Sequence, residues 1–182
     1  HYNSLTLGNE LKPDSVLDLA LSQKYVAETG DDTMPQISLN EADEMLKFAG
    51  ENKIPVRGHV LVWHSQTPDW FFKENFDPNG AWVSKDKMTK RLENYIKTVM
   101  ETLAKDYPDV EFYAWDVVNE AASDAGTIRD AGSNNEVNGQ SAWVKVYGDQ
   151  SYIPLAFEFA KKYAPAGCKL FYNCLLYTSP SP

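Results

Sequence analysis

The chain alternates between stretches of helical period and short apolar runs. Over residues 39 to 52 apolar positions recur on one face of a helix, and residues 54 to 64 then read as a strand. The pair repeats. A long stretch from 84 to 107, stopped by Pro108, precedes a second apolar run from 110 to 120. A third helix, from about 152 to 163, ends near Pro165-Ala166-Gly167 and leads into a short strand at 169 to 173. Residues 2 to 6 read as an earlier strand. Strand and helix units of this length favour a parallel sheet with helices outside, either an open doubly wound sheet or a (β/α)8 barrel. No glycine-rich phosphate turn follows any of these strands, which weighs against a nucleotide-binding open sheet. Residues 65 to 80 and 123 to 141 are expected to be long polar loops after strand ends, where barrel enzymes place substrate contacts.

Composition narrows the function classes. At 182 residues and 43% hydrophobic content, the chain is long enough to bury the core of one domain or most of one. A net charge of -9 without any Lys/Arg-rich run leaves no basic field for nucleic acid or for an anionic membrane. No apolar run approaches the roughly 18 residues of a membrane span, and no charged-then-apolar signal peptide opens the sequence. The aromatic share of 13% supplies ring faces suited to core packing or to stacking on sugars. Cys168 and Cys174 would lie roughly 20 Å apart in an extended chain, so both are expected as unpaired thiols.

Three segments carry candidate chemistry. In Trp115-Asp116-Val117-Val118-Asn119-Glu120 an apolar strand ends in an amide and a carboxylate before a polar loop. At a barrel strand's carboxyl end such a carboxyl group can protonate a glycosidic oxygen, while the neighbouring amide bonds a sugar hydroxyl. A helix N-cap or solvated strand end would produce similar letters. In the run from Gly58 to Gln66, a period of two places His59, Leu61 and Trp63 on one face and Val60 and Val62 on the other. His59 and Trp63 together suit a sugar site, and two satisfied core residues are the plainer alternative. A zinc site is disfavoured because His59 and His64 fall on opposite faces with no Cys or further His nearby. The third segment, from Asn3 to Pro13, runs a strand into a cluster of Asn, Glu and Lys.

In this order the segments resemble glycoside hydrolase family 10, whose members are mostly endo-β-1,4-xylanases built as (β/α)8 barrels. The resemblance runs from Asn3 to Asn173 and rests on Gly-Asn-Glu-Leu-Lys at 8 to 12, Arg-Gly-His at 57 to 59, Trp-His-Ser-Gln at 63 to 66, and Trp-Asp-Val-Val-Asn-Glu at 115 to 120. It implies that Glu120 is the general acid/base and Asn119 its sugar-binding neighbour. It further implies that Asn9, Lys12, His59, Trp63 and Gln66 line the substrate subsites, with His64 and Asp116 supporting them from behind. Gly8 stands where many members carry Glu. After Asn173 the chain departs from the family's usual Asp-Tyr-Asn.

The resemblance therefore implies a partial (β/α)8 barrel holding about four of the eight strands, without the first and last, over residues 1–173. Residues 174–182 are expected to be a foreign tail. No Asp or Glu follows Glu158, so the nucleophile that a retaining glycosidase needs is expected to be absent. The implied partner is xylan or xylo-oligosaccharides, with no cofactor and no metal, and an extracellular location follows from an insoluble polymeric substrate. A non-catalytic xylan-binding module and a cellulase of similar barrel type are the alternatives.

Overall fold

The computed structural model describes residues 3–123, 125–134 and 139–174. Four parallel strands, β1 (Leu5–Thr6), β2 (Val56–Trp63), β3 (Phe112–Asn119) and β4 (Lys169–Asn173), lie in the order β1-β2-β3-β4. Between β1 and β2 run α1 (Pro13–Val16), α2 (Leu19–Thr29) and α3 (Asp43–Glu51), and α4 (Lys85–Asp106) joins β2 to β3. The short α5 (Ala142–Tyr147) and α6 (Tyr152–Tyr163) join β3 to β4. Parallel pairing of consecutive strands requires such crossovers, and α3, α4 and α6 contribute buried apolar residues to the core beside the sheet.

Local chemistry explains the better-defined boundaries. The Ser84 hydroxyl accepts from the Lys87 amide at 3.3 Å to open α4, which ends at Tyr107 before Pro108. Gly30 and Gly148 close α2 and α5 in left-handed geometry, where a Cβ would be strained. Leu92, Ile96 and Val99 from α4 and Ala156 and Ala160 from α6 are buried in the core. Gly58 admits the closest approach in the sheet: a Cβ there would sit 2.2 Å from the Trp115 ring on the neighbouring strand. Replacing Gly58 would drive the two strands apart.

Several expectations change. The first strand is only Leu5–Thr6, and Tyr2 lies outside the described residues. Residues 65 to 80 are not simply a polar loop. They form two short 3-10 turns, Asp69–Phe72 and Glu74–Phe76, and bury Phe71, Phe72 and Phe76. The apolar pattern left α1, α2 and α5 unassigned, and in α2 the sole buried residue is Ser22. The strict alternation read for β2 also fails. Its register against β3 shifts between His59 and Val62, and Leu61 joins Val62 in the hydrophobic core while His59 and Trp63 line a cleft. Part of the loop at 123 to 141 and the expected tail from 175 onward lie outside the described residues. Cys168 and Cys174 are both free thiols. Among the described residues no helix is long and apolar enough to cross a membrane.

Candidate active site

The carboxyl ends of β2, β3 and β4 lie side by side, because Trp63 pairs in register with Asn119 and Asn119 with Asn173. These ends open a cleft of about 280 Å³ lined by His59, Trp63, Asn119, Glu120, Asn173 and Cys174. Glu120 follows β3 directly. Trp63 Nε1 donates to its Oε2 at 2.9 Å, which leaves Oε1 as the carboxylate oxygen outside that bond. Trp63 is nine-tenths buried, so it presents little ring area for stacking and acts first on Glu120. Its own backbone carbonyl accepts from Thr67 Oγ1 at 2.8 Å and from Trp143 Nε1 at 3.1 Å. Trp143 in turn stacks on Tyr152 and meets Phe72 edge-on at 4.8 Å, so the buried aromatic cluster fixes the strand end that fixes the acid.

Behind the cleft, Asp116 is buried and satisfied by three side chains from the two flanking strands. Arg57 donates to Oδ1 from Nε at 3.0 Å and Nη2 at 2.5 Å, while His59 Nδ1 lies 2.9 Å and Asn173 Nδ2 3.0 Å from Oδ2. Burial raises the Asp116 pKa, but the hydrogen bonds from His59 and Arg57 outweigh it and hold the carboxyl below its ordinary range. An ionised Asp116 only accepts, so His59 Nδ1 carries the proton and Nε2 is the nitrogen left for a ligand. The Asp116 carboxylate thus sets both the tautomer and the orientation of a cleft residue.

On the other side of Trp63, Lys12 Nζ donates to Asn9 Oδ1 at 2.8 Å and to Gln66 Oε1 at 2.7 Å, and lies 5.1 Å from the indole centroid. Gln66 has a φ of 45°, and its carbonyl accepts from the Asp14 amide at 2.9 Å, which ties the end of β2 to the start of α1. His64 is buried edge-on against Trp63, with ring centroids 6.0 Å apart. Burial, helped by the charge of Arg129, pulls its pKa down to about 4, so it packs as a neutral ring.

All nine residues singled out from the sequence fall in one neighbourhood. Arg57, Asn173 and Arg129 were missed. Arg57 stands two positions before His59 within the Arg-Gly-His run, which was a usable signal. Nothing local marks Asn173, whose partners lie 57 and 116 positions away. Among the described residues no group of three His, Cys, Asp or Glu could hold a metal ion.

Parallel strands, outer helices and a carboxylate cleft at the strand ends define a protein of the (β/α)8-barrel class, with four strands described here. The family model described as Glycosyl hydrolase family 10 matches residues 1–178, and the chain belongs to that family. It is 49% identical over 176 residues to endo-1,4-beta-xylanase Y of Acetivibrio thermocellus, a match covering 94% of this chain and 16% of the relative. It is also 49% identical to the bifunctional endo-1,4-beta-xylanase XylA of Ruminococcus flavefaciens, over 95% of this chain and 17% of that protein. The xylanase 10B modules of Clostridium thermocellum, solved with xylohexaose, superpose with a TM-score of 0.86 at 47% identity, covering 96% of this chain and 33% of that one. The family 10 structure from Paenibacillus barcinonensis gives 0.70 at 32% identity, covering 96% and 44%. The chain thus spans about a sixth of these curated relatives and under half of these structures.

Proposed function

We propose that the chain carries the acid/base side of an endo-1,4-β-xylanase cleft, in which Glu120 protonates the leaving glycosidic oxygen and later takes a proton from water. The observation that carries this reading is the Trp63–Glu120 hydrogen bond at the carboxyl ends of parallel strands, with His59 and Asn119 beside it. The indole fixes one carboxylate oxygen and leaves the other to meet substrate. Asn119, His59 Nε2 and the Asn9–Lys12–Gln66 cluster supply hydrogen-bonding groups for sugar hydroxyls. Xylan and xylo-oligosaccharides are the proposed ligands. The names of the relatives and the xylohexaose bound to one of them support that choice. An insoluble polymeric substrate is the ground for proposing an extracellular location.

A retaining mechanism needs a second carboxylate about 5–5.5 Å from the acid. Among the described residues lining the cleft, Glu120 is the one carboxylate, and Asp116 is engaged by Arg57, His59 and Asn173. The 182 residues alone therefore bind sugar without appreciable turnover. Electrophoresis of the chain through native gels containing xylan or carboxymethylcellulose, followed by reducing-sugar assay of the xylan, tests both halves. Retardation in xylan with no sugar release is expected. Equal migration in both gels would remove the xylan assignment, and release abolished by Glu120→Gln would remove the incomplete site.

A further inference from the structure

We propose that Arg129 is a positioning residue for Glu120, holding the backbone of that residue in the conformation that aims its carboxylate at Trp63; the inference rests on the acid/base role proposed for Glu120. Glu120 has a φ of 51°, in the left-handed region that side-chain-bearing residues rarely occupy. Such a backbone persists where neighbours over-determine it, and two hydrogen bonds do so here. The Glu120 amide donates to the Asn173 carbonyl at 2.8 Å, extending the β3–β4 ladder. Its carbonyl accepts from Arg129 Nε at 2.6 Å, nine residues further on in the loop. The first bond comes with the sheet, whereas the second requires this side chain.

The surroundings of Arg129 are built to hold it. It is buried, and Nη1 also donates to the Gly139 carbonyl at 3.2 Å, so one planar guanidinium spans two carbonyls that a lysine ammonium would not reach together. Gly139 has a φ of +62°, and a Cβ there would lie 2.9 Å from Nη1. The guanidinium thus fills space that only glycine leaves. Its charge also reaches His64, which packs against Trp63, so Arg129 addresses the acid through its backbone and the indole through a neighbour.

The test reads the Trp63 indole N–H by NMR in the 182-residue protein labelled with nitrogen-15 at tryptophan, its resonance assigned by loss in Trp63→Phe. In Arg129→Lys, which keeps the charge and loses the fork, that signal is expected to shift and to lose protection from solvent exchange, while the Trp115 signal stays. Gly139→Ala, which crowds the guanidinium but retains it, is expected to move the same signal, and it decides the matter if Arg129→Lys does not fold. Affinity for xylohexaose should fall about tenfold in either variant. An unmoved Trp63 signal beside a lowered melting temperature would make Arg129 a structural residue only and overturn the proposal. Failure of the unmodified chain to bind xylohexaose would instead strike the proposed function, leaving the indole readout to judge Arg129 separately.

Discussion

Two buried carboxylates organise this molecule in opposite ways. Asp32 is wrapped by cations and amides that face inward: Arg91 donates from Nη2 at 3.0 Å, Lys87 at 3.0 Å and the Asn75 amide at 2.9 Å. Arg91 is fully buried, and its remaining donors go to the carbonyls of Asp32, Phe71 and Lys73, with Phe76 against its face. Lys87 also pairs with Glu74. This network closes on itself and clamps the 3-10 turns between α2 and α4. Asp116 is equally buried, yet its partner His59 lines the cleft with 20% of its side-chain surface exposed, whereas Lys87, 30% exposed, turns its ammonium to Asp32 and Glu74. At its solvent edge one network turns a cation to two carboxylates of the fold, and the other turns an imidazole to a cleft. On the proposed function, the buried charge that serves the site is the one whose network opens on the cleft.

The largest effect should come from breaking the closed network. Arg91→Met keeps most of the volume but takes one of three donors from the Asp32 carboxylate and the side-chain donor from three carbonyls, for a loss of about 3–5 kcal/mol in urea unfolding. A loss below about 1 kcal/mol would show that the clamp is dispensable. Next in size is the pH response behind Trp63. His64 titrates near 4 folded against 6.5 ordinarily, so its stabilisation is full above pH 6.5 and is lost as pH falls through about 4, on the order of 3 kcal/mol. Unfolding midpoints of wild type and His64→Phe should diverge over that window, and parallel curves would refute the assignment. Asp32 and Asp116 are both held below the ordinary carboxylate value, so what they contribute persists through this window and is lost only at lower pH.

The open network should behave differently. Asp116→Asn leaves Arg57 and His59 able to reach water, so stability falls by only about 1–2 kcal/mol. Xylohexaose affinity should drop about tenfold, because His59 loses the partner that fixes its tautomer. A stability loss as large as that of Arg91→Met, with affinity unchanged, would erase the distinction between the two networks. Trp63→Phe is the mildest change, removing the donor to Glu120 for about 0.5–1 kcal/mol of stability. Its mark should appear instead as faster exchange between Glu120 rotamers in side-chain NMR.

Much of this architecture was legible because burial writes a period into the sequence. α6 and β4 run over the residues expected, and Ser84 and Pro108 bracket α4 as their chemistry dictates. Glu120 was legible as a carboxylate ending an apolar strand. What escaped has physical causes. α2 buries no apolar stripe, so no period announces it. The register shift in β2 breaks the alternation that had grouped Leu61 with His59 and Trp63. Arg57, Asn173 and Arg129 act through partners set by strand register or by a loop returning on itself, and neither is written in local sequence.

Calorimetric titration of xylohexaose into the unmodified chain tests the central claim most directly, since binding and turnover leave different heat signatures. If Glu120 works there without a second carboxylate, as proposed, the heats should saturate and return to baseline after each injection. Absence of saturable heat would contradict the sugar cleft, and sustained heat output abolished by Glu120→Gln would contradict the proposed catalytic incompleteness.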